Sequence, residues 1–284
     1  MAILQPNQSA VAKVAPEFTG RPSRMHAAWA DINQGLLQWR VWWVLALIEV
    51  RQRYRRSSLG QLWLTLSMAA TIAGIGITFG VIFNQRFDSY IPFLGVGLIV
   101  WALISGLIND LATAFIVSDT YLGAYPGPRS VVIFRAIARN CVAAAHNLLI
   151  VPLLLFFFSI PITWAIFLFV PGVVLVLLNA VWVGMLVGPL GTRFRDLPQL
   201  IANVVQLAFF VTPIMYRPAQ IQDRLWLLTH FNPLASFVEI LRAPLLGNVP
   251  SLHHYGLVLL VTFVGFAVAI PFYARFRERI VYWL

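Results

Sequence analysis

The stretch "VRQRYRRSSLGQLWLTLSMAATIAGIG", Val50 to Gly76, sets Arg51, Arg53, Arg55 and Arg56 hard against an apolar run with no charge. A nucleic-acid-binding helix, a basic amphipathic target helix and the inner mouth of a membrane span all share this signature. The run itself decides. Leu62 to Phe83 contains no acid and no base, and about 20 predominantly apolar residues cross the ~30 Å of a bilayer's hydrocarbon.

The pattern recurs along the chain. Ile91 to Asn109 is a second charge-free segment, and Asn140 to Thr192 holds 53 residues without Asp, Glu, Lys or Arg. That length suits two crossings joined at "FSIPITW", Phe158 to Trp164. Pro161 there donates no backbone hydrogen bond and disfavours helix in the residue before it. Leu197 to Tyr216 makes a fifth segment and Tyr255 to Ala274 a sixth. The expected fold class is an all-α integral membrane protein of six transmembrane helices.

Val41 to Ile48 is too short to cross. Between Arg40 and Glu49 it suits an interfacial helix, with Trp39, Trp42 and Trp43 at headgroup depth. The match is imperfect, because Trp42 and Leu45 share a helical face with Gln38 and Glu49. The expected organisation is a flexible cytoplasmic arm over residues 1–34, an interfacial amphipathic helix over 35–58 and a six-helix domain over 59–284.

Composition agrees. Hydrophobic residues make up 60% of the chain and charged residues 11%, where a soluble domain carries about 25% charged. Nineteen of the 20 basic residues are arginines scattered between apolar runs, which argues against a nucleic-acid partner despite the net charge of +10. Sixteen basic residues fall on the N-terminal side of the spans, against Arg86, Arg217, Arg224 and Arg242 on the other. The positive-inside rule then places both termini in the cytoplasm. Residues 1–30 lack the basic, apolar and small-residue succession of a signal peptide. A single cysteine, Cys141, allows no intrachain disulfide.

Little points to covalent chemistry. A P-loop needs G-x-x-x-x-G-K-[ST], and the only lysine, Lys13, sits in "SAVAKVAPE". The five histidines form no H-x-x-x-H or H-E-x-x-H pair. No catalytic, cofactor-binding or metal-ligating residue is expected. Ion-coupled carriers show repeats or paired broken helices with mid-membrane charges; here the nearest acid is Asp110, at the inner end of the second expected span. His146 with Asn147 suits interhelical glue, and His253-His254 a solvated loop.

Two connections are unusual. Ser118 to Asn140, "SDTYLGAYPGPRSVVIFRAIARN", far exceeds the roughly two to eight residues that join packed helices. Its "YPGP" turn and its arginines suit a docking element for a cytoplasmic partner. Arg217 to Pro250 is too apolar for a plain loop and too short to span, and is broken at Asn232-Pro233. Re-entrant half-helices fit it, since irregular backbone survives at membrane depth only inside protein or along a water-filled cavity.

Three stretches carry a family resemblance: "RYRRSSLGQLWLTLSM" (Arg53 to Met68), "GTRFRDLPQLIANVVQLAFFVTPIMY" (Gly191 to Tyr216) and "NPLASFVEILRAPLLG" (Asn232 to Gly247). They resemble the permease subunit of type-2 ABC exporters, within it the branch that exports lipid-linked O-antigen, capsule or teichoic acid chains. The resemblance covers roughly residues 35–284. It implies a homodimer paired with two copies of a separate ATPase, which binds the ATP and Mg²⁺. It also implies ATPase contacts at Leu36 to Arg56, including Arg51, Arg53, Arg55 and Arg56, and at Tyr121 to Arg135, including Tyr121, Tyr125, Arg129 and Arg135.

By the same resemblance, spans one and five line a conduit, with Phe79, Phe83, Phe209, Phe210 and Tyr216 offering ring faces to sugars. The external half-helices with Trp226 form its gate. Each aromatic has a bland alternative in lipid or helix packing. Arg193, Arg195 and Asp196 in "TRFRD" suit a cytoplasmic mouth that attracts a lipid carrier's pyrophosphate; a structural pairing of these arginines with Asp196 is the preferred alternative. A permease for drugs, lipids or other small cargo, and a membrane-embedded transferase or scaffold, remain the rival readings.

Overall fold

The computed structural model of the chain describes residues 23–55, 57–124, 127–217 and 231–284. The expected N-terminal arm up to Pro22, Arg56, Tyr125, Trp226 and most of the first external half-helix lie outside them. Ser23 starts helix α1 (Arg24–Leu37): its hydroxyl accepts the His26 N–H at 3.2 Å, the usual service of a serine N-cap. This helix crosses the junction expected at residue 35. The chain bends at Gln38, and α2 runs Trp39–Arg53.

The imperfect amphipathic pattern of α2 now has a cause. Its buried residues are Ala46 and Val50, and on the same side Trp42 stacks on Phe134 at 6.1 Å while Glu49 pairs with arginines. That stripe faces protein. The opposite side exposes Trp39, Trp43, Val44 and Ile48.

Helices α3 (Leu62–Ile82) and α4 (Phe87–Thr113) follow, then short α5 (Asp119–Ala124). The third span joins α6 (Val131–Leu148) to α7 (Ile150–Phe157) across a break at Leu149. It begins nine residues earlier than the charge-free run, because Arg135 and Arg139 enter the helix paired with acids. After the "FSIPITW" turn, with Ser159 at φ +50°, α8 occupies Phe169–Arg193. Then come α9 (Leu197–Val211), α10 (Pro233–Leu245), α11 (Leu252–Phe276) and α12 (Ile280–Trp283).

Among the described residues five helical stretches are long and apolar enough to cross a bilayer: 62–82, 87–113, 131–157, 164–193 and 252–283. The expected fifth crossing, Leu197 to Tyr216, is helical only to Val211, about 22 Å at 1.5 Å per residue. Thr212 is extended (φ −81°, ψ 134°) because Pro213 follows it and a residue before proline is pushed out of the helical region.

Helix α4 is the hub. Helices α3, α6, α8, α9 and α10 all pack on it, and its buried residues run from Tyr90 to Ala112. The fit against α8 is backbone-close: a Cβ on Gly191 would lie 2.2 Å from the Ala112 carbonyl oxygen. Helices α3 and α9 flank α4 and keep wide faces uncovered.

Candidate functional site

At the arginine-rich end, Asp31 of α1 is buried and plugs the start of α6. Its carboxylate accepts the backbone N–H groups of Arg129 (3.0 Å) and Ser130 (3.1 Å), together with the Tyr273 hydroxyl (2.9 Å). Arg277 pairs with it at 3.4 Å and donates to the Ala27 carbonyl at 2.9 Å. An anion at a helix N-terminus meets unpaired N–H groups and the favourable end of the macrodipole. The arm, the α5–α6 connection and the end of α11 are thereby tied at one point. The sequence reading missed Asp31; its signal was an acid five residues before the apolar pair Leu36-Leu37, too weak to find.

A second cluster lies beside it. Glu49 Oε1 meets Arg135 Nη1 at 3.1 Å, and Oε2 meets Arg139 Nη1 at 2.7 Å. Arg139 Nη2 and Nε reach Asp110 Oδ2 at 2.8 and 3.1 Å, and Asn140 Nδ2 donates to the same oxygen at 2.7 Å. Arg135 also donates to Ser118 Oγ. Of the expected partner-facing residues, Arg51, Arg53 and Arg55 are exposed and Tyr121 and Arg129 half-buried, whereas Arg135 is buried. Arg129 donates to the Arg277 carbonyl.

The expected conduit aromatics divide. Phe83 and Phe210 are exposed, while Phe79 and Phe209 pack partly into the core. Phe79 contacts Phe83 (5.5 Å), Phe209 contacts Phe210 (5.4 Å), and Phe209 also meets Trp101 of α4 (5.9 Å). Tyr216 is half-buried and donates to the Val211 carbonyl at 2.8 Å.

Helix α9 carries a feature the sequence reading passed over. Gln199, Asn203, Gln206 and Phe210 fall on one exposed face at helical spacing, and Gln199 donates to Asn203 at 3.2 Å. The neighbouring exposed face is Leu200, Val204, Leu207 and Val211. The i, i+4, i+7 spacing of the carboxamides was visible in the sequence. On α3 one exposed stripe is small or hydroxylated, Ser67, Thr71, Gly74 and Thr78, beside exposed Leu66, Ile77 and Val81.

The expected pairing within "TRFRD" does not form. Arg193 lies over the rings of Phe194 (5.5 Å) and Trp283 (5.3 Å), and Arg195 donates to the Leu284 carbonyl at 2.8 Å. Asp196 stands exposed at the start of α9. The turn directs the two guanidiniums toward the C-terminal helix instead.

At the opposite end α10 wedges between α4, α8 and α11. Asn232 caps it, accepting the Leu234 N–H at 2.9 Å. Arg242 is buried, donating to Glu239 and, at 2.8 Å, to the Pro213 carbonyl. Burial disfavours its charge and pulls its pKa below the ordinary guanidinium value, with Glu239 opposing. An apolar cavity of about 380 Å³ lies alongside, lined by Leu107, Val176, Asn179, Trp182 and Phe237 among others. Among the described residues no three His, Cys, Asp or Glu side chains gather as metal ligands.

The profile of the ABC-2 type transporter family matches residues 40–246. The chain belongs to that family. As an ABC-2 permease it is a transport subunit, and a separate ATPase hydrolyses the nucleotide. The family match takes in the Glu49–Arg139 cluster, the α3 and α9 faces and all of α10. Relatives include the O-antigen export system permease protein RfbA of Myxococcus xanthus, 28% identical over 198 residues, 69% of this chain and 76% of that protein. RfbA of Klebsiella pneumoniae is 24% identical over 242 residues, 81% of this chain and 91% of that one. The polysialic acid transport protein KpsM of Escherichia coli is 24% identical over 241 residues, 79% and 90% of the two chains.

Proposed function

We propose that this permease forms half of a passage through which an ATP-driven exporter moves a polysaccharide, lipid-linked at one end, out across the cytoplasmic membrane. Two copies of the chain pair with two ATPase subunits, which bind ATP and Mg²⁺. Both termini and the arginine-rich end face the cytoplasm. The observation that carries this reading is the double face of α9, carboxamides on one exposed side and leucine and valine on the next. Carboxamides facing lipid forfeit their hydrogen bonds; facing a wet lumen they exchange them with water and sugar hydroxyls. The names of the relatives support polysaccharide as the cargo.

The residues then take these roles. Exposed Arg51, Arg53 and Arg55 and the α5–α6 connection meet the ATPase, with Asp31 holding that connection in register. Phe83 and Phe210 give flat apolar surfaces to the C–H faces of sugar rings, while Gln199, Asn203 and Gln206 trade hydrogen bonds along the chain. The small face of α3 lets a second copy approach closely. Arg193 and Arg195 draw the carrier's phosphates to the mouth, and α10 closes the far end. A polymer too long to be enclosed is fed through in steps as the ATPase dimer closes and opens.

The alternative, a small apolar cargo such as a drug or lipid, draws support from the apolar cavity beside α10. The two separate when the permease is co-purified with its ATPase and ATP hydrolysis is measured with long polysaccharide or with small amphiphiles. Stimulation by the polysaccharide alone is expected; stimulation by amphiphiles alone contradicts the proposal.

A further inference from the structure

Glu49 is the one acid of α2, and both its carboxylate oxygens are held by arginines of α6. Arg139 uses Nη1 on Glu49 and Nη2 and Nε on Asp110 of α4, so one guanidinium bridges the interfacial helix and the hub. We infer that Glu49 and Arg139 form the linkage through which a displacement of α2 is passed to α4, and so to the α3 and α9 faces that flank it.

The chemistry suits a linkage. Helix α2 packs along α6 through Ala46, Val50 and the Trp42–Phe134 contact, and apolar packing of this kind is non-directional. A half-buried charge pair adds direction, because separation leaves each partly desolvated charge without its partner. The planar fork of arginine holds two carboxylates at fixed angles, which turns an attraction into a directional strut. Arg135 braces the same carboxylate from one helical turn away and is anchored in turn on Ser118. Two acids and two arginines balance, so the cluster persists near the apolar core. Asp31 fixes where α6 begins; the Glu49–Arg139 linkage fixes what α6 hands onward.

The inference rests on reading α2 as an ATPase-facing element, and a cargo-free measurement separates the two. The full chain with its ATPase is placed in nanodiscs with spin labels at the exposed positions Gln52 and Val211, Cys141 being replaced by Ser. In the wild type, ATP moves both labels. In Glu49→Gln the Gln52 label still responds while the Val211 response is lost, and polymer exported per ATP falls about tenfold, within the ordinary range of coupling between sites. Asp110→Asn gives the same loss, and the double variant is no worse than the worse single, as expected of residues in one linkage.

Arg139→Lys keeps the charge but cannot reach both acids at once, so it uncouples in the same way while remaining folded. Three results overturn the linkage: an undiminished Val211 response in Glu49→Gln or Arg139→Lys, losses that add in full, or losses that only track the amount of assembled complex. A wild-type complex whose labels respond to ATP but which moves no polysaccharide contradicts the cargo reading, and the linkage then stands on the label responses alone.

Discussion

The Arg242 guanidinium lies 4.0 Å from the ring centroid of Phe93, pinning α10 to α4 by a cation–π contact inside the protein. The same guanidinium grips Glu239 and the Pro213 carbonyl. Arg242→Met strands Glu239 and the carbonyl, and is expected to cost about 3 kcal/mol. A lowered melting temperature in detergent checks it. Arg242→Lys recovers only part, because an ammonium lacks the two-nitrogen grip.

Asp31→Ala removes the acceptor for the Arg129 and Ser130 N–H groups and for the Tyr273 hydroxyl. About 1–3 kcal/mol of local stability is expected to be lost, confined to the arginine-rich end. Hydrogen exchange reads it directly: the amides of Arg129 and Ser130 exchange faster, while those of Gly97 to Leu107 do not. Asp31→Asn keeps one acceptor oxygen and falls between.

Two glycines give opposite outcomes. Gly191→Ala drives a methyl group to 2.2 Å from the Ala112 carbonyl oxygen, and backbone must move, at about 1–3 kcal/mol. Gly74 of α3 has nothing within 4 Å of a new Cβ in the single chain, so Gly74→Ala leaves the fold of that chain intact and gains a little helix propensity. Thermal unfolding of the two variants, side by side, checks both.

Replacing Gln199, Asn203 and Gln206 together by Leu makes α9 apolar on both exposed sides. Insertion and assembly with the ATPase are expected to stay at wild-type levels, while polysaccharide export falls about tenfold or more for a loss on the order of 1.4 kcal/mol along the path. Export assayed against the quantity of assembled complex is the measurement.

Much of the fold was legible because lipid imposes length and apolarity on anything that crosses it. Leu62 announced the start of α3 to the residue, Asn232-Pro233 the start of α10, and Pro161 the turn between the third and fourth spans. What stayed hidden depended on partners far away in sequence. Arg135 and Arg139 read as part of the connection, in a short amphipathic helix, rather than of the span, because Glu49 and Asp110, which pair with them, are 86 and 29 positions distant. Asp31 read as arm for the same reason. The short end of α9 was readable from Thr212-Pro213, but the apolar Ile214, Met215 and Tyr216 beyond it outweighed the proline.

The central claim is that this chain is an unpowered passage for a glycan, driven by a separate ATPase. Proteoliposomes carrying the chain with its ATPase, loaded with fluorescent lipid-linked polysaccharide on the ATPase side, test it most directly. Glycan should reach the opposite face only when ATP and both proteins are present. Glycan movement or ATP hydrolysis by the chain alone, or none by the full complex, would contradict the account.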